Sequence, residues 1–308
     1  MAGASREPVA GRGDGLMHRK WLVAAAVLVA AALPHAKVRA AEDAHRIVSV
    51  GGAVTEVVYA LGADSGLIAV DSTSLYPDSA RAFPDVGYMR QLAAEPILAM
   101  APSIVLAVED AGPPTVLDQI AAAGVRVVHV PDEPTPEGVI AKVHTVADAL
   151  GLSSEGDELA SKLEQDFAAL RDKIATVEDR PSVLYLLSIG SGAPLAAGAG
   201  TAADGIISLA GGRNAIEGFT DYMPLSPEAA VTAAPDYILI DQRSLDALGG
   251  EAALLARPEL AATPAGTEGR LIALDGLLLL GFGPRTPQAV QALAEALHPD
   301  LTLNVLGR

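Results

Sequence analysis

Residues 154–178 read SEGDELASKLEQDFAALRDKIATVE. Large apolar side chains recur in this stretch every three or four residues, at Leu159, Leu163, Phe167, Leu170, Ile174 and Val177. Such spacing is typical of an amphipathic helix with one apolar stripe. Ser154 and Asp157 fit a capping box at its start, and the Arg180-Pro181 pair predicts its end. The pattern fits either an ordinary helix packed on a sheet or a long helix that connects two domains.

Short apolar runs rich in β-branched residues lie on both sides of this helix. The candidate strands are Arg46–Val50, Leu67–Val70, Ile104–Val108, Val125–Val130, Val183–Ile189, Tyr237–Ile240 and Leu271–Leu274. Helical stretches alternate with them. Strands that are apolar on both faces and alternate with helices are typical of parallel sheets in α/β proteins. The sequence therefore predicts α/β architecture before and after the long helix.

The two halves of the chain share one pattern. Glu95 and Glu228 are each followed seven residues later by a proline, Pro102 and Pro235, and a candidate strand begins just after that proline. Each segment reads as a short helix, a proline stop and a buried strand. A pattern repeated in both halves suggests a duplicated architecture.

The first 41 residues fit a secretory signal peptide. Basic residues precede an apolar run of about 14 residues, which is too short to span a bilayer, and the stretch ends in Val38-Arg39-Ala40. We expect cleavage near Ala40. The chain contains no cysteine, so it has no residue for a lipid anchor and no thiolate metal site. These features predict a protein that is free in a Gram-negative periplasm.

The net charge of the chain is −17. This acidity excludes nucleic acid and anionic membrane surfaces as natural partners, because the long-range field repels them. It favours solubility, or docking onto a basic partner. The motifs GxSxG and HExxH, a Walker loop and a GxGxxG strand–helix junction are missing, and the histidines are scattered. The sequence therefore predicts a binding protein and not an enzyme.

The loop Asp85 to Glu95, DVGYMRQLAAE, contains the strongest candidate site. Gly87 permits a sharp turn, Tyr88 follows it, and Arg90 lies two residues further on. A nearby guanidinium favours the phenolate form of a tyrosine, and a phenolate suits ferric iron. The alternative is that Tyr88 simply packs a surface loop against the edge of the core.

Five segments resemble a known family, the periplasmic haem-binding proteins of bacterial haem ABC importers. They are RIVSVGGAVTEVVYALGA (46–63), VGYMRQLAAE (86–95), AGAGTAADGIISLAGGRNAI (197–216), GFTDYMPLSPEAAVTAAPD (218–236) and LLGFGPRTPQAV (279–290). The resemblance implies two α/β lobes with mainly parallel sheets, at residues 42–153 and 179–308. One connecting helix at 154–178 would join them, with the ligand cleft between the lobes.

The resemblance also implies residue roles. Tyr88 would be the axial ligand of the haem iron, and Arg90 would support the phenolate or a haem propionate. Arg243 and Arg285 are the candidates for the same task from the second lobe. Two further residues, Tyr222 and Met223, would line the far wall of the cleft, or would only pack a loop.

Partners follow from the same resemblance. Glu95 and Glu228 would dock onto arginines of an inner-membrane ABC permease dimer, although each carboxylate also suits the N-terminal turn of a helix. An outer-membrane haem receptor system could supply the cargo, and we expect the chain to be a monomer. The second-lobe stretch YLLSIGSGAPLAAG contains no histidine, which favours one five-coordinate haem over two. A ferric siderophore or cobalamin is the alternative cargo.

Overall fold

The computed structural model describes residues 45–188, 193–303 and 306. The predicted signal peptide at residues 1–41 lies outside the described residues. Within the described ranges, no helix combines the length and the apolar character needed to cross a membrane.

The first lobe is a four-stranded parallel sheet with helices between its strands. In chain order its elements are β1 (Ile47–Val50), α1 (Gly52–Ala60), β2 (Leu67–Val70), α2 (Ala94–Ala99), β3 (Ile104–Val108), α3 (Pro114–Ala122), β4 (Arg126–Val130) and α4 (Pro136–Leu150). The strand order is β2-β1-β3-β4. Every residue of β1 and β3 is buried, as expected for central strands covered on both faces.

The long helix α5 spans Ser153–Ile174, so it begins one residue before the predicted start and ends four residues before residue 178. Its predicted apolar stripe is confirmed, because Leu163, Phe167, Leu170 and Ile174 are all buried. Burial of each such side chain is worth about 1.5–3 kcal/mol. The helix packs against α4 of the first lobe and against α12 (Thr286–Leu297) near the end of the chain. It therefore connects the two lobes.

The capping-box prediction for α5 is wrong. The residue before the helix is Leu152, which offers no side-chain cap, and Ser154 lies inside the first turn. The preceding helix α4 ends at Leu150 and is capped by Gly151, whose φ of 71° is left-handed, so only Gly151 and Leu152 separate the two helices. The hydroxyl of Ser153 instead donates to Asp148 at 2.7 Å. The tight link between the helices thus replaces a conventional cap.

The second lobe is a mixed sheet of six strands within the described residues. Its elements are β5 (Ser182–Ser188), β6 (Leu195–Ala197), α6 (Ala202–Leu209), β7 (Arg213–Asn214), β8 (Tyr222–Pro224), α7 (Pro227–Ala233), β9 (Tyr237–Asp241), α8 (Gln242–Ala247), α9 (Glu251–Leu255), α10 (Pro264–Glu268), β10 (Leu271–Leu274), α11 (Gly276–Leu280) and α12. The order is β10-β9-β5-β6-β8, and β7 pairs with β5. β10, β9, β5 and β7 are parallel, whereas β6 and β8 add an antiparallel edge.

The larger of two hydrophobic clusters is shared by the two lobes. On β5, Val183 and Tyr185 face a cluster that also contains the buried residues of the first sheet, whereas Leu184 and Leu186 face a smaller cluster on the other side. This alternation follows from the two-residue period of a strand. The predicted fold of two α/β lobes joined by a long helix is confirmed. The lobe boundaries 42–153 and 179–308 stay a prediction.

The repeated pattern of the two halves extends to the backbone. Helices α2 and α7 each end before an alanine with a left-handed backbone, Ala101 with φ 47° and Ala234 with φ 43°. In each case a proline follows and a buried strand begins two residues later. A proline disfavours helical backbone at the residue before it, which explains the sharp stop at the same place in both lobes.

Candidate functional site

A cavity of about 620 Å³ opens between the two sheets. Its walls are the segments that follow the carboxyl ends of the strands, including Gly51 after β1, Thr73 after β2 and Gly276 after β10. Parallel strands bring such segments to one edge of a sheet, which is where ligands bind in open α/β sheets. The fold thus builds a cleft from short loops of both lobes.

Tyr88 and Arg90 point into this cavity from the first lobe. Met89, between them, and Leu92, two residues after Arg90, have buried side chains that fix the loop to the core. The backbone of the loop is tied down as well, because Gly112 donates to Met89 O at 2.9 Å. Gly87 has a φ of 101°, in the left-handed region that favours glycine. The turn at Gly87 and the buried neighbours together hold the phenol ring of Tyr88, which is 40% exposed, at the cavity wall.

A hydrogen-bonded chain of three side chains forms at this wall. Nη1 of Arg90 donates to the phenol oxygen of Tyr88 at 2.8 Å. On its other side, Nε of Arg90 donates to Oδ2 of Asp110 at 3.0 Å, and Nη2 donates to the same oxygen. Asp110 thus fixes the guanidinium, and the guanidinium faces the phenol oxygen. Sequence reasoning found Tyr88 and Arg90 but missed Asp110.

Arg90 is positively charged at all physiological pH values. Partial burial lowers its pKa, but hydrogen bonds to Tyr88 and Asp110 outweigh that effect, so the pKa lies above the ordinary value. A permanent cation therefore lies 2.8 Å from the Tyr88 oxygen and donates a hydrogen bond to it.

Tyr222 reaches the cavity from the second lobe. Burial raises the pKa of its phenol, and hydrogen bonding to the Ala203 backbone and to Thr201 offsets this only in part. Tyr222 is therefore a neutral phenol at neutral pH. Met223, the next residue on β8, is 46% exposed and is not among the described residues that line the cavity. Successive residues of a strand point to opposite faces, which explains why the two differ.

Arg285 lies away from the cavity lining and forms an ion pair between the lobes. Its Nη2 and Nε donate to the two carboxylate oxygens of Glu56 in α1, at 2.6 and 2.9 Å. Its guanidinium also lies 3.6 Å from the centre of the Tyr76 ring. Burial raises the pKa of Glu56 and lowers that of Arg285, but the hydrogen bond to Glu56 outweighs burial in the arginine, whose pKa is raised. Arg285 therefore helps to hold the two lobes together.

A second polar link between the lobes lies beneath the cavity. Lys142 of α4 is fully buried, and its Nζ donates to Oδ1 of Asp132 at 2.6 Å and to the carbonyl oxygen of Gly281 at 3.1 Å. Asp132 and Gly281 both line the cavity. Sequence reasoning missed this link. The sequence contained one sign of it. Lys142 lies on the apolar face of α4 with Val139 and Val143, and a lysine at such a position is rarely buried without a partner.

Arg243 lies near the rim of the cavity. Its Nη2 is 4.0 Å from Oδ2 of Asp275, and its side chain is half-exposed. Asp275 immediately precedes Gly276, which lines the cavity. Arg243 itself is not among the described residues that line the cavity.

The two predicted docking residues, Glu95 and Glu228, are exposed in the first turns of α2 and α7. Hydrogen bonds from its own backbone N–H and from the Ser226 side chain lower the pKa of Glu228, so its carboxylate stays ionised. Within the described ranges, no three histidine, cysteine or acidic side chains lie close enough to bind a metal ion together.

Residues 47–277 match the model of the periplasmic binding protein family. The chain belongs to this family. Its members are solute-binding proteins, so the chain is a binding protein and not an enzyme, and the family functions in the periplasm.

Solved structures with the same fold are similar over most of the chain. The periplasmic heme-binding protein BhuT, in complex with two hemes, is 43% identical with a TM-score of 0.80, over 84% of this chain and 99% of that one. RhuT from Roseiflexus sp. RS-1, a periplasmic heme-binding protein in apo form, is 42% identical with the same TM-score and coverage. The vitamin B12-binding protein of Photorhabdus laumondii is 28% identical over 63% of this chain and 70% of its own length.

Proposed function

We propose that this chain binds ferric haem in the cavity between its lobes, with Tyr88 as the axial ligand, and delivers it to an inner-membrane ABC importer. The observation that carries the proposal is the hydrogen-bonded chain of Tyr88, Arg90 and Asp110 at the cavity wall. It provides an oxygen ligand that a charge-assisted hydrogen bond holds in place at the cavity wall. Similarity to the BhuT and RhuT structures supports the same cargo.

The rest of the cavity suits a flat apolar ring. Aliphatic side chains from both lobes, including Val54, Leu187, Leu277 and Leu280, line it, and Phe282 adds an aromatic surface. Burial of the porphyrin faces against them supplies a non-directional gain in free energy. Arg90 is the charged donor at the wall, and Arg243 at the rim would pair with a propionate that points toward solvent.

We propose one haem in the cavity, with five-coordinate iron. Tyr222 is the cavity's second phenol, but burial raises its pKa, which disfavours the tyrosinate form that binds ferric iron. His298 is buried near Gly211, two residues after the end of α6, and does not line the cavity. The described part of the second lobe therefore offers no ligand that matches Tyr88.

Delivery would follow docking of both lobes onto the permease through Glu95 and Glu228. The two exposed carboxylates lie at equivalent places in the repeated helix–proline–strand pattern, which suits a partner with two-fold symmetry. Export would depend on the signal peptide predicted at residues 1–41.

The Glu95→Ala, Glu228→Ala double variant should bind haem normally and fail in transport into vesicles that contain the importer. Normal uptake by that variant would refute the docking assignment.

Titration of the purified protein with haemin tests the cargo. The wild type should bind one equivalent and show the visible absorbance of high-spin ferric tyrosinate. Tyr88→Phe should lose that absorbance and weaken haemin binding at least tenfold, because the phenyl ring offers no oxygen to the iron. Tyr59→Phe is the matched control, since Tyr59 bonds Ser79 outside the cavity. An unchanged spectrum and affinity in Tyr88→Phe would remove the tyrosinate from the proposal.

Cobalamin is the second candidate, because vitamin B12-binding proteins are among the relatives. A corrinoid would use the same cleft and the same docking glutamates but needs no phenolate. Titration with cyanocobalamin separates the two. Tight binding of cyanocobalamin that survives Tyr88→Phe, with no haemin binding, would establish a corrinoid carrier.

A further inference from the structure

Asp71 is a buried carboxylate beside the loop that carries Tyr88. It directly follows β2 and is only 2% exposed. Its Oδ1 accepts from Gly51 N at 2.9 Å and from Ser74 Oγ at 2.7 Å. Its Oδ2 accepts from N and Oγ1 of Thr73, at 3.0 and 2.6 Å. Four hydrogen bonds therefore fix this side chain, and they join the start of α1 to the segment after β2.

Three buried hydroxyl groups extend this arrangement into the core of the first lobe. Oγ of Ser49 on β1 lies 2.7 Å from Oγ1 of Thr55 in α1, which lies 2.7 Å from Oγ of Ser74. Because Ser74 gives its one hydroxyl proton to Asp71, its oxygen accepts from Thr55. Thr55 accepts from Ser49 for the same reason. The carboxylate thus ends a chain of donors that all point in one direction.

The backbone of the Tyr88 loop is bonded to the segment that Asp71 fixes. Ser72 N donates to the carbonyl oxygen of Gly87 at 3.0 Å. Gly87 directly precedes Tyr88, and its left-handed φ forms the turn before the tyrosine. Because Asp71 and Ser72 are adjacent, any displacement of the Asp71 backbone would move this hydrogen bond and the turn.

A side-chain contact supports the loop on the other side of the tyrosine. Oγ1 of Thr73, which donates to Asp71, lies 3.8 Å from Sδ of Met89. The same oxygen accepts from Gly52 N, at the start of α1, at 3.0 Å. Met89 directly follows Tyr88, and its side chain is buried. The loop therefore rests against Thr73, which Asp71 fixes through two of its four hydrogen bonds.

We propose that Asp71 is a positioning residue for the iron ligand, which sets the place of the Tyr88 oxygen in the cavity without contacting the cargo. Asp71 is not among the described residues that line the cavity. Ligand atoms must be held within about 0.5 Å of the productive geometry, and hydrogen bonds behind the ligand provide this precision. The inference rests on the proposed tyrosinate ligation of haem and adds the residue that positions the tyrosine.

The test is a haemin titration of the wild type, Asp71→Asn, Tyr88→Phe and the variant with both substitutions. Asp71→Asn should weaken haemin binding roughly tenfold, the lower end of the effect of residues that support a metal ligand. It should also shift the tyrosinate absorbance, because an amide offers one accepting oxygen to four donors. In the Tyr88→Phe background it should change the affinity by less than about twofold, since no phenol oxygen remains to be positioned.

Asp236→Asn is the matched control. Asp236 of the second lobe accepts from N and Oγ of Ser182 at 2.8 and 2.7 Å, so its replacement also removes a carboxylate that holds the backbone. Neither residue is among the described ones that line the cavity. This variant should keep the wild-type absorbance, with a haemin affinity within about twofold of the wild type.

The outcomes separate this inference from the proposed function. If Tyr88→Phe binds haemin as the wild type does, tyrosinate ligation falls, and the positioning role falls with it. If Tyr88→Phe binds weakly and Asp71→Asn has no effect, or the same effect in both backgrounds, only the positioning role is overturned.

A milder variant covers the case in which Asp71→Asn does not fold. Ser74→Ala removes one donor and keeps the carboxylate. It should weaken haemin binding about threefold, the effect of one hydrogen bond, and only when Tyr88 is present. Wild-type affinity in Ser74→Ala, or an equal loss in the Tyr88→Phe background, would overturn the positioning role.

Discussion

The ion pair between Arg285 and Glu56 makes a sharp prediction about stability. Arg285→Met keeps much of the side-chain volume but removes both hydrogen bonds to Glu56. The Glu56 side chain is 5% exposed, so its carboxylate would be left with almost no solvent and without its cation. The perturbation therefore creates an uncompensated charge at the contact between the lobes.

The expected loss is about 3 kcal/mol in the free energy of unfolding at pH 7. Removal of one partner of a buried pair costs about 3–5 kcal/mol, and the lower end applies because Arg285 is 21% exposed. The double variant Glu56→Gln, Arg285→Met removes the stranded charge and should recover more than half of that loss. Arg171→Met, at an exposed arginine of α5, should change stability by less than about 0.5 kcal/mol.

The loss should depend on pH in a defined direction. Burial already raises the pKa of Glu56 in the folded state above its ordinary value of 4.5, so the folded state binds its proton more tightly than the unfolded state does. The stability contributed by such a group is complete below pH 4.5 and is lost as pH rises through the folded pKa. Without Arg285 that pKa rises further. The deficit of Arg285→Met should therefore be smallest near pH 4.5 and largest at pH 7 and above.

Urea unfolding followed by circular dichroism at pH 5 and pH 7 measures both effects. A loss below about 1 kcal/mol at pH 7, or a deficit that does not change with pH, would refute the reasoning. Haemin titration of the same variant separates the two roles considered for Arg285. A haemin affinity within threefold of the wild type indicates that Arg285 only joins the lobes. A loss of tenfold or more in a folded variant would indicate that Arg285 pairs with a haem propionate.

Two further predictions concern the cavity wall. Arg90→Gln should weaken haemin binding about tenfold in the visible titration, because the Tyr88 oxygen loses a charge-assisted hydrogen bond; an unchanged affinity would contradict that role. Gly52→Ala should destabilise the protein by about 1–3 kcal/mol in urea unfolding, because its Cβ would lie 2.5 Å from the carbonyl oxygen of Thr73. Gly218→Ala, where a Cβ meets nothing within 4 Å, is the control, and equal stability of the two variants would show that the contact relaxes freely.

The parts of the fold that sequence could predict are those in which one residue pattern is long enough to be periodic. The predicted seven strands match β1 to β5, β9 and β10 within one residue at each end, because each is a short run dominated by β-branched or aliphatic residues. Strands β6, β7 and β8 were missed, since segments of two or three residues show no period. Their pairing depends on neighbours in the sheet, which local sequence does not contain.

The residues of the site also fall into those that local sequence could predict and those that it could not. Tyr88 and Arg90 are two residues apart, so their pairing could be predicted from the loop alone. Asp110 lies 20 residues beyond Arg90, and Glu56 lies 229 residues before Arg285. A single sequence gives no information on which distant carboxylate meets which arginine. For that reason Arg285 was predicted at the ligand, although the structure pairs it with Glu56.

The shared interior of the two lobes has a consequence for how the molecule comes apart. Because the larger apolar cluster runs from the first sheet to β5 and α12, separation of the lobes would expose apolar surface on both, and only the smaller cluster lies within the second lobe alone. Heat or denaturant should therefore melt the chain in a single cooperative transition, as small one-domain proteins do. A fragment that ends before α5 would expose the surface that α5 covers, and it should aggregate instead of persisting as a separate half-molecule.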